Sequence, residues 1–384
     1  FKQFDKPKFK NQTILSAKET YIMAILAKTS PMGFNTWNTF GPDISEQMVL
    51  EITDVIAEQG YRDAGYKYVV IDDCWSLRER DENGCLVADP EKFPHGMKYV
   101  ADYVHAKGLK FGMYSCAGTR TCAGYPGSFD HEFQDARTFA SWGVDFLKYD
   151  FCYFPSFANC QHRYLIMAQA LRSTGRDILF SACNWGVQEP WNWMRSIGAH
   201  MYRSTGDIVD SFASTAHIMN SQMNNFNANA SGCFNDMDML TIGMAGQGFV
   251  GREDCNNYRE YETQFAFWCF CAAPLMMGAD LRKVSDEYRT MLQHKELIRL
   301  HQDPECRPPY RVREQDGFHI LVHGTQVRIF CKIPNPADSG VKLALTDVIT
   351  GETFAPKRDD FFVPVEGHGC KVYRAKFIRD RKKY

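Results

Sequence analysis

Gly143-Val144-Asp145-Phe146-Leu147-Lys148-Tyr149-Asp150-Phe151-Cys152 is the stretch from which the fold is read. A glycine opens a short apolar run, so residues 144–150 are expected to form a buried strand. Side chains alternate along a strand, which puts Lys148, Asp150 and Cys152 on one face where it ends. A buried carboxylate is costly unless it is paired or chemically employed. Lys148 supplies the charge that keeps Asp150 ionised. Asp150 is therefore the candidate nucleophile; the plainer reading is an ordinary Lys–Asp pair at a strand end.

Outward from this segment, further strand-like runs stand at 32–35, 66–72, 109–114, 178–183, 200–203, 232–236 and 273–277. Helix-period segments lie among them at 45–60, 96–107, 132–142, 158–173, 208–224, 256–272 and 285–300. In the first, Val49, Ile52 and Ile56 share a face, Ser45 suits the N-cap and Gly60 the stop. This alternation predicts an α/β fold, a (β/α)8 TIM barrel, rather than an open doubly wound sheet. No GxGxxG follows the first strand and no Walker-type loop is present, which argues against the open sheet. Asp303-Pro304 and Pro308-Pro309 then punctuate the chain. Beyond them, runs at 318–323, 326–333 and 342–348 are β-like and separated by turn residues. The expected domains are an N-terminal extension of unassigned role (1–30), a catalytic barrel (31–305) and a C-terminal antiparallel β domain (306–384), a sandwich or half-barrel on the barrel's side.

The chain has 384 residues, 45% hydrophobic and 23% charged, ample for a large core. A net charge of −2 gives no electrostatic case for nucleic acid or anionic lipid. The longest early apolar run, 21–27, is far too short to span a bilayer. The charged stretch ahead of it, with Pro7, lacks the form of a secretory leader. Fourteen cysteines are many, but no CxxC pair set or Cys/His ligand cluster appears, so no metal is expected. Cys116, Cys183, Cys269, Cys271 and Cys331 sit in apolar runs and read as small buried hydrophobes. Such usage suits a reducing cytoplasm, with secretion the alternative if a leader precedes Phe1. Aromatics at 14% would serve a sugar cleft as well as a core.

Barrel enzymes place reacting groups at the C-terminal ends of their strands. Those ends here carry Trp37, Asp72-Asp73, Tyr114, Lys148/Asp150, Asn184-Trp185, Arg203 with Asp207 soon after, and Asp236/Asp238. An isolated aspartate at such a place is usually a helix cap. Carboxylates from four strands, with two cations among them, read better as a site. Two chemistries fit: glycoside hydrolysis by a carboxylate pair, or an enolase-like site with Asp72, Asp150 and Asp238 on Mg²⁺ and Lys148 as base. Spacing does not separate them. Serine or cysteine nucleophile chemistry is poorly supported, with no Gly-x-Ser-x-Gly elbow and no evident Cys–His pair.

Longer motifs do separate them. Pro31-Met32-Gly33-Phe34-Asn35-Thr36-Trp37 and Ile71-Asp72-Asp73-Cys74-Trp75 are followed by Ala88-Asp89-Pro90, Lys92-Phe93-Pro94-His95-Gly96 and Thr121-Cys122-Ala123-Gly124-Tyr125-Pro126-Gly127-Ser128. Leu147-Lys148-Tyr149-Asp150, Asn235-Asp236-Met237-Asp238-Met239-Leu240, Ala273-Pro274-Leu275-Met276 and Gln302-Asp303-Pro304 continue the order. From Pro31 to Pro304 the chain resembles the melibiase-type α-galactosidases and α-N-acetylgalactosaminidases, glycoside hydrolase family 27. The resemblance implies a barrel plus C-terminal β domain, no cofactor, and retaining exo-hydrolysis of terminal non-reducing α-D-galactosyl groups in sugars of the melibiose or raffinose type.

Carried over by position, the resemblance implies Asp150 as nucleophile and Asp207, in Arg203-Ser204-Thr205-Gly206-Asp207, as acid/base. It implies that Asp72 and Asp73, helped by Lys148, bind the 4- and 6-hydroxyls. Arg203 would address the 2-hydroxyl side and hold Asp207. Trp37 and Tyr114 would form floor and wall, with Trp185 and Asp238 among the sugar contacts. Cys122 and Cys152 match a disulfide beside the site. Two departures stand out. Cys74 and Cys183 lack their usual partners, with Ala199 at one of those places. At Asn184, relatives cleaving galactosides carry Glu and those cleaving N-acetylgalactosaminides a small residue, so Asn184 would meet either a 2-hydroxyl or an acetamido carbonyl. Asp73 argues against the arabinopyranosidase branch. N-acetylgalactosaminidase activity is the nearest rival, and a non-catalytic carbohydrate-binding protein the rival of another class. The expected partner is a small sugar; self-association is left open.

Overall fold

A computed structural model describes residues 25–225, 229–315, 318–322, 341–356 and 363–379. Eight short parallel strands, β1 (Met32–Asn35), β2 (Tyr68–Val70), β3 (Lys110–Cys116), β4 (Phe146–Asp150), β5 (Leu179–Cys183), β6 (Met201–Arg203), β7 (Phe234–Asp236) and β8 (Leu275–Met277), form one sheet. Each of β1 to β6 pairs with the next in sequence, and β8 returns to pair with β1. The sheet is drawn round at the seam by Leu240, just past β7. Its amide donates to Met276 O at 2.8 Å and its carbonyl accepts from the Gly278 amide at 3.0 Å. This is the expected barrel.

Strand parity sorts the side chains. Tyr68, Val70, Phe146, Leu179, Met201, Phe234 and Met276 point inward and fill the barrel with one apolar cluster. Alternate residues such as Val69, Leu147, Phe180, Ala182 and Tyr202 face outward into the larger core under the helices. Helices Glu46–Glu58, Gly96–Ala106, Glu132–Trp142, Cys160–Ser173, Phe212–Gln222 and Tyr258–Phe270 cover that shell. Ser45 caps the first, accepting from the Met48 amide at 3.3 Å. Gly143, at φ +89°, turns the chain from helix Glu132–Trp142 into β4, a conformation that a side chain would strain.

One expectation needs correction. The single helix expected at 285–300 is two, Asp286–Leu292 and Lys295–His301. Gln293 closes the first helix, its Nε2 donating to Gln59 O at 2.7 Å, and His294 turns extended to become the cap of the second. Between β5 and β6 the crossover is only a 3-10 turn, Pro190–Asn192, and the short helix Met194–Ile197.

The C-terminal region holds two antiparallel sheets. One is the hairpin of β9 (Tyr310–Gln315) and β10 (Phe318–Val322); in the other, β11 (Val341–Asp347) lies between β12 (Thr353–Phe354) and β13 (Tyr373–Arg379). Val348, Ile349, Cys370 and Val372 pack on the barrel's outer core. His368 contacts helix Tyr258–Phe270 twice: its carbonyl accepts from Thr263 Oγ1 at 2.8 Å and its ring meets Glu260 at 2.6 Å. The strand expected at 326–333, Cys331 within it, and most of the 1–30 extension lie outside the described residues.

Candidate active site

The inward parity that fills the barrel continues past the plug to its C-terminal mouth, where the inward residues become charged. After Tyr68 and Val70 comes Asp72; after Phe146 come Lys148 and Asp150; after Met201 comes Arg203; after Phe234 come Asp236 and Asp238.

Asp150 ends β4 almost fully buried. Its Oδ2 accepts from the Tyr114 hydroxyl at 2.9 Å and its Oδ1 from the Phe151 amide at 2.9 Å. Burial pushes its carboxyl up to about 6, against the opposing pull of Lys148 and these hydrogen bonds. Asp150 is thus poised rather than inert. Tyr114 is a partner of Asp150 as well as a wall, and Lys148 Nζ lies 5.4 Å from its ring centroid.

Asp72 and Asp73 are fixed by their neighbours. Asp72 Oδ2 accepts from Asn35 Nδ2 at 2.6 Å and from Lys148 Nζ at 2.8 Å. Asp73 takes the Cys74 amide at 2.7 Å and the Ala123 amide at 2.9 Å, while burial raises its carboxyl. The Lys148 ammonium loses hydration in the barrel, but Asp72 and Asp150 outweigh that and hold it charged.

On the opposite wall Arg203 is a buried fork. Its Nη2 donates to Asp207 Oδ1 at 2.7 Å and its Nη1 meets Asp238 Oδ1 at 2.9 Å. Asp207 reaches into the open cleft, its side chain 71% exposed. Lost hydration pushes that carboxyl up, but Arg203 and Lys148 outweigh it and hold it below the usual range. Asp150 and Asp207 both act on the Cys183 thiol and both feel Lys148, so the two carboxylates share neighbours at the barrel mouth. Burial also lifts Asp236, to about 6.

Cys122 and Cys152 form a disulfide with Cα atoms 5.0 Å apart, tying the loop after β3 to the end of β4. Cys122 Sγ lies 3.6 Å from both Asp150 Oδ2 and the Tyr114 hydroxyl. Cys74, Cys116, Cys183, Cys269 and Cys271 are free and buried. Trp37 sits half-buried over the plug, its ring 5.2 Å from that of Phe249.

Asn184 stands apart from the group in which its sequence position sets it. Cys183 keeps the inward parity of Leu179 and Ser181, so Asn184 follows Phe180 and Ala182 outward and is fully buried. Its amide donates to Val187 O, within a turn pinned to β6 by the Gly186 amide on Arg203 O at 3.3 Å. A Cβ on Gly186 would lie 2.5 Å from Ser204 O, so the turn needs glycine there. Cys183, read from sequence only as a buried hydrophobe, is the residue that faces the cavity; the alternation along β5 was the available signal. Trp185 follows at φ +55°, its ring edge-on to Phe151 at 6.1 Å.

The enolase-like set does not assemble. Asp72, Asp150 and Asp238 are each bound to separate donors. Among the described residues, the sole group of three ligand-type side chains within reach of one ion is Cys122, Asp150 and Cys152, and its sulfurs are spent on each other.

An eight-stranded barrel with paired carboxylates and two cations at its mouth defines a barrel hydrolase of the two-carboxylate type. The chain belongs to the Melibiase_2 family, described as alpha galactosidase A, whose model matches residues 29–303. It is 45% identical over 289 residues to alpha-galactosidase A of Cellvibrio japonicus, covering 72% of this chain and 68% of that protein. It is likewise 45% identical over 279 residues to alpha-galactosidase 3 of Arabidopsis thaliana, covering 73% of this chain but 61% of the relative's length. The crystal structure of alpha-galactosidase I from Mortierella vinacea superposes with a TM-score of 0.82 at 31% identity, covering 91% of this chain and 97% of that one.

Proposed function

We propose that the protein is a retaining exo-glycosidase that removes terminal α-D-galactosyl groups from small oligosaccharides. The observation that carries this is a buried, hydrogen-bonded Asp150 and an exposed Asp207 at one barrel mouth, each acting on the Cys183 thiol between them in the chain. Asp150, ionised at neutral pH, attacks the anomeric carbon and forms a glycosyl ester. Asp207 gives its proton to the departing oxygen, then takes one from the water that frees the sugar. Arg203 with Lys148 favours ionised Asp207, the form that takes the proton from water in the second step.

Asp72 and Asp73, immobilised by Asn35, Lys148, Cys74 and Ala123, are acceptors for the hydroxyls at the far end of the ring. Fixed acceptors of this kind reject a sugar that lacks the hydroxyl, because the buried carboxylate is then left unpaired. The rival N-acetylgalactosaminide reading gains nothing from Asn184, whose amide is committed to Val187. Location in a reducing cytoplasm is part of the proposal, supported by the many free cysteines.

The test is proton NMR during hydrolysis of p-nitrophenyl α-D-galactoside, with the N-acetylgalactosaminide in parallel. The α-anomer of galactose is expected first, with the galactoside preferred. Initial β-galactose, or turnover of neither glycoside, overturns the proposal.

A further inference from the structure

Asp238 follows β7 at φ +82°, a backbone conformation that costs a non-glycine residue energy and persists only where its surroundings impose it. Those surroundings are explicit. The Asp238 amide donates to Asp236 Oδ1 at 2.9 Å, and its carbonyl accepts from Trp268 Nε1 at 2.8 Å. Thus held, its nearly buried carboxylate turns both oxygens to protein donors. Oδ1 meets Arg203 Nη1 at 2.9 Å, and Oδ2 accepts from the Ile208 amide at 2.7 Å. These are the two handles of Asp207. Arg203 is its ion-pair partner, and Ile208 is the next residue in the chain.

We propose that Asp238, expected from the sequence to touch the sugar, is instead the positioning residue of Asp207: it fixes where that carboxyl stands and shares the arginine that faces it. The inference rests on the reading of Asp207 as acid/base. A general acid displaced by about 1 Å loses much of its effect, which gives a grip on both sides of Asp207 its value. The sharing matters equally. The charged groups that face Asp207 are Arg203, Lys148 and Asp238, beside the Cys183 thiol that burial keeps protonated, and Asp236 stands behind Arg203. With the Asp238 charge removed, Arg203 and Lys148 act on Asp207 with less opposition, and the protonated acid becomes scarcer.

The test compares kcat/KM of Asp238→Asn and the wild type on two galactosides. Melibiose has an alkoxide leaving group that needs a proton; 2,4-dinitrophenyl α-galactoside has one that does not. About 100-fold loss is expected on melibiose against less than about 5-fold on the aryl glycoside, the range that general acid catalysis spans. The alkaline limb of the melibiose profile should also move to lower pH. Equal losses on both substrates with an unmoved limb overturn the proposal. If circular dichroism shows that Asp238→Asn does not fold, Trp268→Phe decides, since it keeps an aromatic ring but deletes the donor to the Asp238 carbonyl. The same dependence on leaving group at smaller size supports the role, and a loss independent of leaving group overturns it. Asp207→Asn is the separate control: without leaving-group dependence there, the acid/base assignment itself fails.

Discussion

The two ends of the barrel interior are built by the same strands and do opposite things. At one end Tyr68, Val70, Phe146, Leu179, Met201 and Phe234 interlock without a charge among them. One or two inward steps further, the same strands carry Asp72, Lys148, Asp150, Cys183, Arg203 and Asp236. The difference teaches why the site is rigid. Apolar packing below fixes the strand ends, and the strand ends fix charges that would otherwise need water around them. The plug should govern stability and the mouth chemistry, which can be tested separately.

The largest effect is expected at the mouth. Asp150→Asn should lower kcat by about 10⁴-fold or more, the cost of removing a covalent nucleophile, while galactose still raises the melting temperature. Activity lost together with sugar binding would mean that the residue holds the pocket rather than attacks. Asp207→Asn should lower kcat/KM on melibiose by about 100- to 10,000-fold, and far less on the dinitrophenyl glycoside. At the plug, Phe146→Ala should cost about 3–5 kcal/mol in urea unfolding, because a cavity opens beneath β4. The folded fraction should keep its KM for melibiose; a KM that rises in step with the lost stability would merge the two regions into one. The smallest effect is in pH. Asp150 attacks only when ionised, and burial sets its carboxyl at about 6. On its acid side kcat/KM should therefore fall about tenfold per unit below that value, as one essential base requires, while the proton on Asp207 sets the separate alkaline limb. An acid limb near pH 4, where an exposed aspartate titrates, would contradict the buried Asp150.

Much of this contrast is legible in the sequence. Parallel strands buried on both faces read as short apolar runs, so β1 and the strand ends at Asp150, Cys183, Arg203 and Asp236 fall where pattern places them. Lys148 and Asp150 follow from alternation alone. Asn184 misleads because a motif fixes position and not direction: the parity of β5 runs on through Cys183 and turns Asn184 to the helices. The engagement of Asp238 depends on Ile208 and Arg203, 30 and 35 positions earlier, and short-range pattern does not contain such a contact. The side-chain bond of Gln293 to Gln59, where the last helix divides, likewise reaches far off in the chain.

The account's central claim is a covalent bond between galactose and Asp150. Its most direct test is mass spectrometry of peptides from enzyme trapped with a fluorinated galactosyl fluoride, which slows the second step more than the first. One fluorogalactosyl adduct is expected, on the peptide that contains Asp150 and on that carboxylate. An adduct on Asp207 or another acid, or full inactivation with no covalent sugar, contradicts the account.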